Sequence, residues 1–562
     1  MRAFSEAHRA VHFPPDRRFR IRIRSKEALV IGLVLMIPIT IAWIQFLFFG
    51  LPSVSVSPPR IMPGEPHGFP AWIRLTHFVN FFFLMLLART GLSILMDHPR
   101  LCWNRNCTPE TEWIRFTPLE VPLDRVWTAK DDARYISPFL ALPGYRHTIG
   151  MARAWHFLSI CVFLLNGFIF ILLLFCTSQW KRLVPTSWNI VPGAWNVFVH
   201  YVTFHMPPEP NGFYSYNPLQ QLAYFAVVFI MAPLSMFTGI AMSPAVVNRF
   251  PRYPKLFGGR QSARSIHFLL LVGYLVFLAI HVGLVILTGF VRNMNHIVLG
   301  RDNESPVGMI LGLVGIGAVV ASWVVAHLIA WKYPRNIQRL HRLLSMPLLH
   351  GIFNRLEPRE RYTAKDISPF FWPNGKPPES DEWRQLASQG FRKYKLKVTG
   401  LVENPVEVSL DDMRALGKSE NISLHHCIQG WSGVAQWGGL EFKTLVELVK
   451  PLPESKTVVF YSFGEGLYGG TYYDTQSLAT VLYSECILAY EMNSQPLPEI
   501  YGAPLRLRVE NQLGYKMVKW IREIRFVRSE RRWAKEKAAK TKMTSILTFC
   551  QIFSSLDDWA VA

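Results

Sequence analysis

Cysteine is scarce in this chain. Seven cysteines occur in 562 residues, and their spacing forms neither a disulfide framework nor a Cys-x-x-Cys zinc motif. Cys102 and Cys107, in "CWNRNC", could supply two ligands of a metal clip, but no second pair lies near them in the sequence. The cysteine pattern therefore excludes a disulfide-stapled scaffold and argues against a structural zinc module.

Charge is scarce as well. Only 18% of the residues are charged, whereas 50% are hydrophobic, which excludes an ordinary soluble protein. No cleavable signal peptide is recognisable, because the apolar run after "RRFRIR" (17–22) is long enough to span a membrane. The net charge of +21 is compatible with nucleic-acid binding. The positive residues lie in particular loops, however, so we expect a membrane protein and no nucleic-acid partner.

Long apolar segments dominate the first 335 residues. Six of them each meet the ~20 residues that a helix needs to cross the bilayer. They lie at about 28–50, 71–96, 151–176, 218–244, 264–290 and 307–331. The sequence therefore predicts an all-α transmembrane bundle of about six helices over 28–335, preceded by a basic N-terminus at 1–27.

Positive charge alternates between the segments that connect these helices. Residues 1–27, 97–150, 245–264 and the stretch after the last helix contain 24 Lys and Arg, whereas the other connections contain five. Lys and Arg collect on the cytoplasmic side of membrane proteins. We therefore expect a multi-pass protein of a bacterial-type inner membrane with both termini in the cytoplasm.

The composition changes after residue 335. Residues 336–364 have the composition of a basic linker, and strand-like alternation follows at 394–402, 457–463, 504–510 and 520–527. Short helical patterns at 409–416 and 442–450 interrupt it. This order predicts a β-rich α+β domain over 365–528. The basic residues 529–562 receive no assignment.

Four histidines lie within the predicted membrane helices, where an ionisable side chain needs a partner. His267 and His281 share one helix and are 14 residues apart. That spacing puts them ~40° from the same helix face and ~21 Å apart along the axis. The predicted topology puts His77 at the depth of His281 and His156 at the depth of His267. Two such pairs fit bis-histidine ligation of two b-type haems; the alternative is a set of isolated interfacial histidines.

Arginines accompany these histidines. Arg74, Arg153 and Arg264 each precede one of them by three residues, where they would meet haem propionates. With "RSIHFL" and the paired histidines, residues from about 70 to 330 resemble the di-haem cytochrome b subunits of Ni/Fe-hydrogenases, formate dehydrogenases and thiosulfate reductases. The first and sixth helices are additional to the usual four. The resemblance implies electron exchange between the membrane quinone pool and an attached redox domain.

A single cysteine, Cys427 in "HHCIQGWSG", stands out in the C-terminal domain. A thiolate is a soft ligand for a transition metal, but an iron–sulfur cluster takes about four cysteines. One cysteine can supply one bond to a metal that an organic cofactor otherwise holds, such as molybdenum carried by a pterin. The alternative is a buried structural cysteine, which is how we interpret Cys161, Cys176 and Cys486.

Residues 365–528 resemble the sulfite oxidase-type molybdopterin domain, in the bacterial branch that includes methionine-sulfoxide reductase catalytic subunits. The resemblance rests on Cys427 with Trp431 and Trp437, and on "GAPLRLRVENQLGYKMVKWI" (502–521). It implies that Cys427 is catalytic and ligates molybdenum, and that the cofactor is bound by Cys427, Ser462, Arg506, Met517, Val518 and Lys519. Tyr501 departs from the family pattern, which has histidine or asparagine before "GAP".

The combined expectation is a membrane-bound molybdenum oxidoreductase. Two b haems would carry electrons between quinone and a molybdopterin centre, which performs two-electron oxo transfer on a small S- or N-containing substrate. One alternative is a cytochrome that serves a separate partner while its soluble domain is not catalytic. A third is a basic membrane protein that binds nucleic acid or anionic lipid, which would carry no visible chromophore.

Overall fold

The structure is a computed structural model. It describes residues 20–54, 68–118, 128–134, 136–137, 140, 149–208, 212–333, 336–337, 340–341, 343–344, 361–465, 470–482, 485–510 and 512–529. Most of the predicted basic N-terminus, linker and basic tail lies outside these residues.

Among the described residues before 335, six helices are long and apolar enough to cross a membrane, as predicted. Their outward-facing side chains are apolar and exposed, as on a surface covered by lipid; Phe48, for example, is 77% exposed. The helices are α1 (Ser25–Phe49), α2 (Ala71–Leu95), α3 (Ile149–Cys176), α4 (Pro218–Ala241), α5 (Arg260–Leu287) and α6 (Pro306–Lys332).

Two further helices lie at the ends of the bundle, and the sequence pattern did not separate them from loops. Ile190–Val202 packs against α1, and Phe290–Leu299 packs against α6. Helix α4 contains a π-helical turn at Ala226–Met231. Pro233 follows this turn and has no N–H to donate to it, which accounts for the local widening.

A small sheet lies at the end of the bundle where α2 ends. Its strands β1 (Arg22–Ile23), β2 (Arg100–Leu101) and β3 (Ile114–Arg115) pair antiparallel in the order β1-β3-β2. Cys102 and Cys107 form a disulfide beside it, which the cysteine spacing did not predict and which excludes the metal clip. The buried Arg100 forms ion pairs with Glu112 and Asp132 at 2.8 Å each, so this loop is fixed by charge as well as by the disulfide.

The C-terminal domain is β-rich with short helices, as predicted. The strands are β4 (Lys395–Gly400), β5 (Val406–Ser409), β6 (Ser419–His426), β7 (Ser432–Glu441), β8 (Thr457–Glu465), β9 (Thr471–Ser477), β10 (Ile487–Met492), β11 (Gln495–Pro496), β12 (Arg506–Arg508) and β13 (Ile521–Val527). One sheet has the order β5-β4-β13-β8-β9, with β4 and β13 parallel. The other has the order β11-β10-β7-β6, with β12 paired to β10.

The helix Asp381–Ser388 precedes the strands of this domain, and the helices Leu410–Ala415 and Phe442–Val449 lie between strands. A large core lies in this domain and includes the fully buried Trp372, Trp431 and Trp437. Strand β7 contributes to this core, whereas Leu424 of β6 belongs to a separate small cluster. The backbone of β7 approaches β10 so closely that a Cβ on Gly439 would lie 2.0 Å from the Leu488 carbonyl oxygen.

Candidate functional site

The four membrane histidines form two facing pairs, as the topology argument predicted. The ring centroids of His77 and His281 are 6.2 Å apart, and those of His156 and His267 are 6.5 Å apart. Two imidazoles bound to opposite sides of one metal atom, with bonds of about 2 Å each, put their centroids roughly 6 Å apart. Both pairs therefore have the separation that bis-histidine haem ligation requires. We call His77 and His281 the outer pair and His156 and His267 the inner pair.

Each predicted propionate arginine donates to backbone carbonyls of a neighbouring element. Arg74 Nη1 donates to Val298 at 2.7 Å, at the outer end of the bundle. Arg153 Nη1 donates to Ile428 at 3.3 Å. Arg264 donates to the carbonyls of Arg100 and His98. Arg153 and Arg264 thus connect the inner pair to other parts of the chain.

Cys427 lies in the tight turn between β6 and β7. Its N–H donates to the Trp431 carbonyl at 3.0 Å, and Gly430 supplies the left-handed backbone conformation, with φ of 113°, that the turn requires. Asn374 Nδ2 approaches Sγ at 3.5 Å, and Gln429 Oε1 lies 3.8 Å from it. Burial raises the pKa of the Cys427 thiol to about 12. At neutral pH the metal-free thiol is therefore protonated, and a metal ion bound to it would favour the thiolate.

Two buried arginines lie beside this turn. The guanidinium carbons of Arg506 and Arg508 are 4.6 and 4.5 Å from the centroid of the Trp437 ring. Arg506 Nη1 donates to the Tyr501 carbonyl at 2.8 Å, and burial lowers the pKa of Arg506 to about 9. At neutral pH Arg506 is still a cation. Its Nε has no hydrogen-bond partner within the described residues, which fits an anionic group such as a cofactor phosphate.

His425 supports Arg508. Its Nδ1 accepts from Arg508 Nη1 at 2.9 Å, and burial together with Arg508 holds the pKa of His425 well below its ordinary value. The imidazole is therefore neutral. Arg508 Nη1 also donates to the sulfur of Met517 at 2.7 Å, which fixes one of the predicted cofactor residues.

Ser462 and Lys519 are joined directly. Ser462 Oγ donates to the Lys519 carbonyl at 2.8 Å, and Lys519 Nζ donates to the carbonyls of Asn374 and Ile500 at 2.5 and 2.9 Å. Val518, which directly precedes Lys519, is buried, and its carbonyl accepts from the Leu507 N–H at 2.8 Å. Asn374 thus contacts both Cys427 and Lys519, and the predicted cofactor residues share one region around it.

Tyr501, where the sequence departs from the family pattern, has a supporting contact. Its hydroxyl donates to the Phe371 carbonyl at 2.5 Å, and its own carbonyl accepts a hydrogen bond from Arg506 Nη1. Within the described residues, Asn374 Oδ1 has no partner. Unpartnered polar atoms on Asn374 and Arg506, beside a buried thiol, fit a large polar cofactor at this position.

Two family models match the chain. Residues 384–534 match the oxidoreductase molybdopterin binding domain, and residues 68–299 match prokaryotic cytochrome b561. The chain thus joins a region similar to prokaryotic cytochrome b561 to a region similar to the molybdopterin binding domain. Both predicted resemblances are therefore confirmed, and the two families imply molybdenum-molybdopterin and haem b as cofactors.

Similar proteins include a putative protein-methionine-sulfoxide reductase subunit YedZ1 from Azospira oryzae, which is 33% identical over 26% of this chain and 52% of its own length. The methionine-sulfoxide reductase catalytic subunit MsrP of Campylobacter jejuni is 27% identical over 25% of this chain and 50% of its own. The chain thus spans about half the length of these relatives. The sulfane dehydrogenase SoxCD of Paracoccus pantotrophus aligns over 25% of this chain and 39% of its own, with 20% identity and a TM-score of 0.22.

The cytochrome b561 domain and the molybdopterin domain meet at the Cys427 turn. Gln429 Nε2 donates to the Asp97 carbonyl at 3.3 Å, and Arg260 Nη1 donates to the Gly430 carbonyl at 3.1 Å. His426 Nε2 lies 2.9 Å from Asn248 Oδ1. These contacts come from the ends of α2 and α5 and from the short helix Pro244–Arg249 that follows α4. The turn is therefore docked on the end of the bundle that contains the inner pair.

Sequence reasoning missed several residues of this junction. Asn374 and Gln429 contact the thiol but carry no motif that marks them. His98 is completely buried at 4.9 Å from the Trp372 ring, and within the described residues neither of its ring nitrogens has a partner. Its position just after a membrane helix, next to Asp97, gave no signal, because only the fold brings that loop to the molybdopterin domain.

Proposed function

We propose that this chain is a membrane-bound molybdenum oxidoreductase that exchanges electrons between quinone and a molybdopterin centre through two b haems. The molybdenum cofactor, when bound, supplies two-electron oxo transfer on a small S- or N-containing substrate. The observation that carries the proposal is the docking of the Cys427 turn on the inner histidine pair's end of the bundle. A cysteine that had only a packing role would not need arginines of two membrane helices around it.

We assign roles to the residues as follows. Cys427 ligates molybdenum and is the catalytic position. The cofactor is held by Ser462, Arg506, Met517, Val518 and Lys519. The inner and outer pairs would each hold one haem through their imidazole nitrogens. The matching ring separations of 6.2 and 6.5 Å support two haems rather than one.

The path of the electrons follows from the order of the sites. The inner pair is next to the molybdopterin domain, and the outer pair is at the far end of α5, some 21 Å away by helix rise. We therefore propose that quinone exchanges electrons at the outer pair. The names of the relatives, which include methionine-sulfoxide reductase subunits, favour an S-oxide as the substrate that accepts electrons.

For the membrane arrangement we propose a bacterial-type inner membrane with both termini in the cytoplasm, on the basis of the Lys and Arg counts. The domain limits follow the composition: 1–27 for the basic N-terminus, 28–335 for the cytochrome domain, 336–364 for the linker and 365–528 for the molybdopterin domain. The alternative, a cytochrome with a non-catalytic soluble domain, requires Cys427 and Arg506 to be structural.

The test is a metal and optical inventory of the purified full-length protein. We expect two b haems and about one molybdenum per chain. His281→Ala should lose one haem, because the outer pair loses a ligand, and His205→Ala, which lies outside both pairs, should keep both. Two haems in the His281→Ala variant would refute the pairing.

The molybdenum ligand is tested by Cys427→Ser. We expect turnover to collapse, because a hydroxyl is a poorer and harder ligand than a thiolate. Cys486→Ser is the matched control, since Cys486 is also fully buried in the same domain. Full activity in Cys427→Ser would remove the ligand role and favour the non-catalytic alternative.

A further inference from the structure

The same two-residue sequence faces both histidines of the inner pair. Thr90 and Gly91 in α2 lie against His156 of α3. Thr238 and Gly239 in α4 lie against His267 of α5. Different helices thus present one arrangement twice, on the two sides of the proposed inner haem site.

The hydrogen bonds of the two threonines match. Thr90 Oγ1 lies 2.9 Å from His156 Nδ1, and Thr238 Oγ1 lies 3.0 Å from His267 Nδ1. Each hydroxyl donates its own hydrogen to the carbonyl four residues earlier, at 2.9 Å for Thr90 and 2.7 Å for Thr238. Since the hydroxyl hydrogen is already used, the oxygen accepts from Nδ1–H. That tautomer leaves the Nε2 lone pair of each imidazole available for a metal.

The glycines complete the match. A Cβ on Gly91 would lie 3.8 Å from Cε1 of His156, and a Cβ on Gly239 would lie 3.8 Å from Cε1 of His267. The backbone after each threonine therefore passes its histidine ring at the same distance. On its Nδ1 side, each ring therefore contacts a threonine hydroxyl and lies next to the backbone of a glycine.

The outer pair lacks this arrangement on His281. The group near its Nδ1 is the Tyr224 hydroxyl at 3.3 Å, and that same hydroxyl accepts from Gln220 Nε2 at 3.1 Å. The Tyr224 hydroxyl accepts from a second donor and lies farther from Nδ1 than the threonine hydroxyls do. It is therefore a weaker acceptor for the His281 ring. The two histidine pairs therefore differ in the groups around their ligands, although their ring separations are alike.

We propose that Thr90 and Thr238 are positioning residues that fix the ligating tautomer of the inner histidines and make the inner haem harder to reduce. The inference rests on the proposed haem ligation. A hydrogen bond accepted from Nδ1–H makes the imidazole a more basic ligand, which favours the oxidised iron. Two such bonds lower the reduction potential of the inner haem relative to that of the outer haem. The inner haem therefore gives up electrons to the molybdopterin domain readily.

The experiment is a redox titration of haem absorbance in the purified full-length protein. Thr90→Val and Thr238→Val keep the side-chain shape and remove the hydroxyl acceptor, while the backbone hydrogen bonds of His156 with Leu87 and of His267 with Ser235 stay in place. We expect one of the two haem components to move to a more positive potential, with roughly a tenfold change in its reduced-to-oxidised ratio in the double variant, about 59 mV for one electron. The other component and the haem content should not change.

Thr76→Val is the matched control. Thr76 is buried in the same helix as Thr90, and its hydroxyl also donates to a carbonyl four residues earlier, at 2.7 Å. A threonine with only this helical bond has a local role. Both haem components should therefore titrate as in the unmodified protein. The same shift in Thr76→Val would overturn the inference.

Two further outcomes separate the possible failures. Unshifted potentials in the double valine variant, with two haems bound, would overturn the inference and leave the ligation intact. If the valine variants lose haem, Thr90→Ser and Thr238→Ser should restore it, since serine keeps the hydroxyl; failure of both serine variants would also overturn it. His156→Ala with two haems would instead refute the ligation on which it rests.

Discussion

Arg506 concentrates the chemistry of the molybdopterin site in one side chain. It is 3% exposed, lies over Trp437, and donates to the Tyr501 carbonyl. A planar guanidinium can do this and still present a free N–H to a phosphate, whereas a lysine ammonium can not. The shape of the cation therefore matters as much as its charge.

Arg506→Lys should weaken cofactor retention. Loss of hydrogen bonds to a charged group costs about 1.5–3 kcal/mol, which is roughly tenfold or more in cofactor affinity. Molybdenum and pterin content of the purified variant would measure it. Arg525→Lys is the control, since Arg525 is partly exposed, pairs with Glu523 of its own strand and lies far along the chain from the Cys427 turn. Equal cofactor content in both variants would contradict the assigned role.

His98 gives the chain a pH-dependent stability. Burial and the nearby Arg264 and Arg100 hold its pKa well below the ordinary 6.5. Below pH 6.5 the unfolded chain binds a proton that the folded chain does not, so stability is full above that pH and falls as the pH decreases. The slope from this one group is at most about 1.4 kcal/mol per pH unit.

The measurement for His98 is the thermal unfolding midpoint between pH 5 and 7.5. His98→Phe keeps an aromatic ring against Trp372 but does not titrate, so its midpoint should fall less steeply with acid than that of the unmodified protein. Parallel pH profiles for the two proteins would show that His98 has no part in this effect.

The histidine pairing could be predicted from the sequence because helix geometry fixes depth and face. The positions of His267 and His281 in one helix, with the order of the helices, determined which partner each one meets. Thr90 and Thr238 could not be predicted in the same way. Their contacts cross from one helix to another, and the rotation of neighbouring helices depends on packing that no local pattern encodes.

At the scale of elements, α6 and the helix Phe290–Leu299 are held together by small residues. A Cβ on Gly308 would lie 2.7 Å from the Cα of Asn295, a backbone atom that cannot move away cheaply. Asn295 Oδ1 also accepts from the Gly308 N–H at 3.1 Å. The two helices therefore approach as closely as they do because residue 308 has no side chain.

Gly308→Ala should lower the thermal stability of the bundle by separating these helices, with a cost of about 1–3 kcal/mol for overpacking. Gly317→Ala in the same helix is the control, because a Cβ there meets nothing within 4 Å. Alanine at 317 should be neutral or stabilising by about 0.5–1 kcal/mol, since glycine is a poor helix former. Equal midpoints for the two variants would refute the packing role.

Hydropathy was sufficient to predict the six long helices, because the bilayer demands apolar length. It was not sufficient for β6 and β7. Their composition, with His426, Ser432 and several glycines, does not resemble a core strand, yet the second half of β6 and most of β7 are buried. The polar groups find partners in the other domain, such as Asn248 for His426, so burial there depends on a contact that the sequence of the strands does not contain.

At the scale of the whole molecule, two features predict opposite orientations. The distribution of Lys and Arg puts the molybdopterin domain in the cytoplasm. The disulfide between Cys102 and Cys107 lies on the same face of the membrane, and disulfides are typical of oxidising compartments. Our proposal follows the charge, because it draws on four separate segments of the chain.

Reporter fusions after residue 335 would decide the orientation. We expect fluorescence from a reporter that folds only in the cytoplasm and no activity from one that needs export. An active exported reporter would reverse the orientation and leave the order of the redox sites unchanged.

The position of the Cys427 turn has a consequence for how the protein matures. The turn lies beneath loops of the membrane half, with Gln429 anchored to the end of α2 and Gly430 to Arg260. A pterin that approached Cys427 from this side would be blocked once these contacts had formed. We therefore expect the pterin to be inserted first and the two halves of the chain to dock afterwards.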